Sequence, residues 1–189
     1  MNTPNKLTVA RIVLTPVFLL IFTLPQIPYH YLIAMLVYML ASVTDYFDGK
    51  IARSRGIVTN FGKFTDPLAD KMLTTAAFLG MMAMGYCNVW ILFVILFREF
   101  GVSSIRLVAS AQGVVIPANM WGKVKTSCMM VFTVLIMFLL SLQQDFGVLP
   151  ASFPLAVLAN VLFGITALLT LISGITYVME GAKLIDFSQ

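Results

Sequence analysis

Six apolar stretches, near residues 7–24, 31–53, 61–86, 89–110, 119–143 and 153–179, follow one another along a chain of 189 residues. Each offers about the twenty residues a helix needs to cross the hydrocarbon core of a bilayer. Proline, glycine and polar residues separate them, as in Pro25-Gln26-Ile27-Pro28 and Gly147-Val148-Leu149-Pro150. The pattern predicts an all-α, polytopic integral membrane protein with about six transmembrane helices, forming one domain over residues 1–189. A chain with 60% hydrophobic and 11% charged residues cannot give a soluble globule a wet surface. The first stretch follows Lys6 as a signal peptide would, but Arg11 interrupts it and no small-residue cleavage site follows, so a retained helix is expected. Cys87 and Cys128 lack the spacing of a disulfide framework or zinc site and are expected to serve packing.

Positive charge fixes an expected topology. Lys6 with Arg11, the 50–63 segment with Lys50, Arg53, Arg55 and Lys63, the 106–125 segment with Arg106, Lys123 and Lys125, and Lys183 alternate with connections that lack Lys and Arg. The basic segments should face the cytoplasm, which puts both termini there. The opposite connections carry only His30 and Asp145. This bias accounts for the net charge of +4 without a nucleic-acid partner.

Against that apolar background, half of the eight acidic residues fall between Asp45 and Asp70. Four carboxylates inside membrane helices cost roughly 10 kcal/mol on insertion scales unless something positive offsets them. At 100° per residue, Asp45, Asp48, Gly49, Ala52 and Arg53 occupy an arc of about 140°, and Gly62, Asp66 and Asp70 one of about 80°. With a tight connection over 54–60, the two stripes would face each other at matching depth, about 12–13 Å in. Facing carboxylates repel and resist ionisation. Divalent cations remove that difficulty, and all-oxygen ligation favours Mg²⁺ or Mn²⁺, with two ions expected because four carboxylates suit a metal pair that clamps a phosphoryl group. Gly49, Gly62 and Ala52 keep the face low where a ligand must come close, and Arg53 is placed for phosphate oxygens.

The complete run, Asp45-x-x-Asp48-Gly49-x-x-Ala52-Arg53, eight residues, then Gly62-x-x-x-Asp66-x-x-x-Asp70, resembles the signature of the CDP-alcohol phosphatidyltransferase family at every position. The resemblance implies a six-helix membrane fold, a homodimer, and a cytoplasm-facing cavity for a CDP-linked lipid. It implies that Asp45, Asp48, Asp66 and Asp70 ligate two metal ions, that Asp70 also acts as general base, and that Gly49, Ala52, Arg53 and Gly62 contact the CDP-lipid.

Further stretches are similar to the bacterial branch of the family whose acceptor is sn-glycerol 3-phosphate and whose donor is CDP-diacylglycerol. They are Asn5-Lys6-Leu7-Thr8-x-x-Arg11 with Thr15-Pro16, Arg98-Glu99-Phe100 with Ser104-x-Arg106, and Asn119-x-Trp121-Gly122-Lys123-x-Lys125-Thr126. The final helix is generic. That branch implies a multi-pass enzyme of the bacterial cell membrane that makes phosphatidylglycerophosphate. Charge points the same way, since a phosphorylated acceptor needs cations that a neutral alcohol does not. Arg98 and Arg106 lie about 80° apart around their helix, and with Lys123 and Lys125 they could form an anion pocket.

Plainer readings stay open for these residues. Arg98 could pair with Glu99, and the lysines could be ordinary positive-inside residues. Asn5, Thr8 and Arg11 could help close the nucleotide site, or serve as a cap and an interfacial anchor. The alternatives for the whole chain are the same transfer to phosphatidylglycerol, as in a cardiolipin synthase, to inositol phosphate or to serine, and, more remotely, a divalent-cation transporter.

Overall fold

The computed structural model describes residues 3–54, 60–114, 116 and 120–184; the side chains of 3–5, 45–54, 60–64, 66, 67 and 182–184 lie outside that description. Among the described residues the order is α1 (Thr3–Thr23), α2 (His30–Ser54), α3 (Asn60–Ala83), α4 (Val89–Ala111), α5 (Met120–Leu140), a π-helical turn (Ser141–Asp145) and α6 (Leu155–Leu184). The six apolar runs are thus six helices, with ends within a few residues of those expected. Lys6–Thr23, Met120–Asp145 and Leu155–Gly181 are long and apolar enough to cross a membrane, and His30–Thr44 is a shorter apolar helical stretch. No strand occurs among the described residues.

Burial follows membrane logic. Large apolar side chains such as Leu20, Phe97, Leu107 and Val157 are exposed, while Thr8, Arg11, Thr133 and Thr170 are fully buried. In water this distribution would be untenable, whereas hydrocarbon is as good a neighbour for leucine as another helix is.

Two compact units are present, one formed by Met1–Met84 with Thr133–Leu155, the other by Gly85–Phe132 with Ala156–Gln189. In the first, α1 packs against both α2 and α3. Phe18, Phe22, Tyr31 and Tyr38 form a buried aromatic run, with ring centroids 5.2–5.8 Å apart. Gly80 lets α3 approach α1, because a Cβ there would lie 2.8 Å from the Phe22 ring. Arg11 donates from Nε to the Ala41 carbonyl at 3.1 Å and is 1% exposed, so it ties α1 to α2 from within and is no surface anchor.

The π-helical turn closes the same unit. Phe146 N–H reaches the Ser141 carbonyl at 3.0 Å, and Gly147 then takes φ +63°, a conformation that favours glycine, so that Val148 N–H returns to Leu142. Asp145, the last residue of the turn, accepts from Leu32 N–H at 2.9 Å, a first-turn donor of α2 that has no partner within its own helix, and lies 3.6 Å from His30 Nδ1. His30 and Asp145, the two residues singled out in the lysine-free connections, therefore form one contact.

In the second unit, Asn88 caps α4 by accepting from Trp90 N–H, and its own N–H donates to Asn160 of α6 at 2.7 Å. Farther along α4, Val102 and Ala109 form a buried cluster with Ile116 and with Tyr177 of α6.

Candidate active site

Both halves of the acidic motif are helical. Asp45, Asp48, Gly49, Ala52 and Arg53 lie in the last third of α2, and Gly62, Asp66 and Asp70 in the first half of α3. The i, i+3 and i, i+4 offsets place the residues of each half on one helix face. Asp45 stands nine residues before the end of α2 and Asp70 ten after the start of α3, so each is about 14–15 Å from its helix end next to segment 55–59. The two aspartates thus stand at similar distances along their helices from that segment. The side chains of Asp45, Asp48, Arg53 and Asp66 are among those outside the described residues. Asp70 is described and exposed, and its carbonyl accepts from the Thr74 hydroxyl at 3.0 Å.

Near Asp70, the structure adds a residue that spacing did not reveal. Tyr38 is 1% exposed, hydrogen-bonds with Thr133 and Ser42 through side chains, and lies within electrostatic reach of the Asp70 carboxylate. Only the occurrence of a tyrosine seven residues before Asp45 could have drawn attention to it, and that is a weak signal.

The basic residues of the second unit form a connected cluster. Arg98 donates from one guanidinium nitrogen to Glu99 at 3.1 Å and from the other to the Ser173 hydroxyl at 2.6 Å. Glu99 also accepts from the Lys125 ammonium. Arg98 and Lys125 are nearly covered, with side chains 9% and 4% exposed, while the carboxylate between them is 20% exposed. The buried ring of Tyr177 meets two guanidinium groups, with Arg98 Cζ at 5.3 Å and Arg106 Cζ at 5.5 Å from its centroid. Arg106 is otherwise exposed, as is Lys123, which takes part in none of these contacts. Three of the four cations expected to act together are therefore joined, through Glu99 and Tyr177. The pairing of Arg98 with Glu99, weighed in the sequence as a plainer alternative, is real and belongs to the same cluster.

A family model described as CDP-alcohol phosphatidyltransferase matches residues 1–177, spanning the motif and the cation cluster alike. The chain belongs to the CDP-alcohol phosphatidyltransferase family. It is 43% identical over 136 residues to a Bacillus subtilis protein named CDP-diacylglycerol–glycerol-3-phosphate 3-phosphatidyltransferase, covering 66% of this chain and 70% of that one. It is 38% identical over 185 residues to a probable phosphatidylglycerophosphate synthase of Mycobacterium tuberculosis, with 96% and 82% covered. A Rickettsia bellii protein with the same name as the Bacillus one is 35% identical over 176 residues, 93% of each chain.

For a phosphatidyltransferase, the donor set on α2 and α3 fits divalent cations: four carboxylates with no histidine or thiol in the motif make a hard, all-oxygen environment. The final helix, which sequence reading treated as generic, supplies Ser173 and Tyr177 to the cation cluster. The available signal was a serine and a tyrosine four residues apart on one face of a predominantly apolar span.

Proposed function

We propose that this protein transfers the phosphatidyl group of CDP-diacylglycerol to sn-glycerol 3-phosphate, giving phosphatidylglycerophosphate and CMP. The carrying observation is the eight-position aspartate motif, complete and helical on α2 and α3, in a chain whose relatives bear that activity in their names. The reaction runs in a bacterial cell membrane. The motif and both termini face the cytoplasm, the whole chain acts as one functional domain, and the working form is a homodimer.

In this reading Gly49, Ala52 and Gly62 leave room for the nucleotide-linked diphosphate, and Arg53 binds its oxygens. Asp45, Asp48, Asp66 and Asp70 hold two divalent ions, Mg²⁺ or Mn²⁺. When bound, these supply charge neutralisation at the diphosphate and at the departing phosphate. Asp70 takes the proton from the 1-hydroxyl of glycerol 3-phosphate. That oxygen forms a bond to the phosphorus bearing diacylglycerol, the phosphoanhydride bond to CMP breaks, and CMP leaves with the electron pair. Arg106, Lys125, Arg98 and Lys123 hold the acceptor's phosphate. No covalent enzyme intermediate is needed.

The test is CMP release by the purified full chain in lipid–detergent micelles with CDP-diacylglycerol and Mg²⁺. Glycerol 3-phosphate should support release, while phosphatidylglycerol, inositol phosphate and serine should not. Release with one of those acceptors in place of glycerol 3-phosphate would overturn the acceptor assignment.

A further inference from the structure

Arg98 is held from several directions, and α6 supplies three of them. Ser173, fully buried, accepts from the guanidinium at 2.6 Å. At Gly174 a Cβ would lie 2.9 Å from Arg98 Cγ and 3.9 Å from Nε, so the absent side chain is the space the arginine stem occupies. Tyr177, one turn farther, offers its ring to Arg98 and Arg106 together. Helical spacing puts residues 173, 174 and 177 on one face. A serine, a glycine and a tyrosine thus form a seat shaped to one arginine.

The seat leaves one donor unused. Arg98 Nε is buried and has no hydrogen-bond partner among the described residues, although the other two nitrogens are bonded. A buried unpaired N–H of a cation is costly, and an anionic oxygen satisfies it best. The Tyr177 ring holds a second guanidinium, that of Arg106, in the same cluster, and the donors of two arginines match the several oxygens of a phosphate dianion. Glu99 lowers its net positive charge without removing those donors.

We propose that Ser173, Gly174 and Tyr177 of α6 are positioning residues that present Arg98 and Arg106 to the phosphate of the acceptor, and so select a phosphorylated alcohol over an uncharged one. This rests on the functional reading above, and deepens it by assigning a role to a helix that carries no motif. None of the three touches the reacting atoms. Their loss should act on acceptor affinity, leaving donor affinity and the turnover of bound substrates in place.

The experiment measures CMP release by the purified full-length protein in micelles, varying glycerol 3-phosphate and CDP-diacylglycerol separately, for wild type, Tyr177→Phe, Tyr177→Leu, Gly174→Ala and Ser173→Ala. Removing the ring while keeping a bulky side chain should raise KM for glycerol 3-phosphate about tenfold, equivalent to about 1.4 kcal/mol. KM for CDP-diacylglycerol should stay within twofold, and Tyr177→Phe, which keeps the ring, should behave as wild type. Gly174→Ala should act in the same direction as Tyr177→Leu. Inorganic phosphate, used as a competitor of the acceptor, should inhibit both of these variants less than wild type.

Because Tyr177 also packs against Val102, Ala109 and Ile116, a leucine there could disturb folding. Ser173→Ala removes one acceptor with little change in volume and should still raise the acceptor KM severalfold. Thermal unfolding of each variant in detergent separates the two effects. An unchanged acceptor KM in an active Ser173→Ala protein would overturn the proposal, as would equal impairment by Tyr177→Phe and Tyr177→Leu, or a parallel rise in both KM values. Absence of glycerol 3-phosphate-dependent CMP release by wild type would overturn the functional reading itself, and the proposal with it.

Discussion

The motif on α2 and α3 sets four aspartates beside a single motif cation, Arg53, whereas the cluster on α4, α5 and α6 joins Arg98 and Lys125 through one acid, Glu99, and Arg98 and Arg106 through the Tyr177 ring. The first has an excess of negative charge that its own motif does not cancel. The second is partly neutralised, hydrogen-bonded and stacked before any ligand arrives. In the proposed reading that excess is offset by divalent cations, so metal occupancy should govern activity in an all-or-none way. A compensated cation cluster tunes affinity, because a ligand there exchanges one set of ion contacts for another. The two regions should consequently fail differently when broken.

The largest loss is expected on the acidic side. Asp70→Asn should lower CMP release by about a thousandfold or more, the range for removing a general base that also meets a metal, while weakening CDP-diacylglycerol binding far less. Chelation of divalent ions should abolish release by wild type, and added Mg²⁺ or Mn²⁺ should restore it. Retention of wild-type turnover by Asp70→Asn would remove the base assignment, and activity in chelator would remove the metal.

On the basic side the effect should be smaller and should sit in KM. Arg106→Ala, at an exposed residue, should raise KM for glycerol 3-phosphate about tenfold to a hundredfold, as expected for one or two charge-assisted hydrogen bonds. Lys125→Ala should do the same and also lower stability, since it takes one partner from a nearly covered ion pair. Measuring melting in detergent beside the kinetics distinguishes the two arginine and lysine roles. A change confined to CDP-diacylglycerol affinity would show that these cations serve the donor.

What could be read in advance tracks the same contrast. The six helices were legible because twenty-residue apolar runs have few other uses, and the acidic motif because its information is local, carried by offsets within two adjacent helices. The cation cluster was legible only as charges. Its assembly depends on contacts between residues as distant as Arg98 and Ser173, and on a glycine whose value is the room it leaves for a side chain from another helix. Arg11 illustrates the same limit: a lone arginine near a helix start reads as an interfacial anchor, yet it is buried against a carbonyl thirty residues away. No period or offset in one helix encodes such pairings.

A third contact tests whether charge always marks the reaction. Asp145 and His30 also bring titratable groups together, but Asp145 holds a first-turn N–H of α2 as well, which is a structural task. Asp145→Ala should lower stability by about 1–2 kcal/mol, the usual cost of losing a helix cap. It should leave both KM values within twofold. A selective rise in either KM without a shift in melting would give this pair a functional part.

The smallest effect is expected at Cys87, in the connection between α3 and α4. Burial pushes its thiol up to about 12, with a weaker opposing hydrogen bond from the backbone. A raised thiol constant keeps the proton on sulfur through neutral pH, and the thiolate is the nucleophile. In a Cys128→Ser background, iodoacetamide should therefore label Cys87 slowly at pH 7 to 9, with the rate climbing only as the pH approaches the raised value. Cys87→Ser should release CMP at the wild-type rate. Fast labelling near neutrality would mean that the connection opens in solution. If labelling also slowed CMP release, that opening would be coupled to turnover, and the distinction between ionisable groups that serve the reaction and groups that serve packing would have to be redrawn.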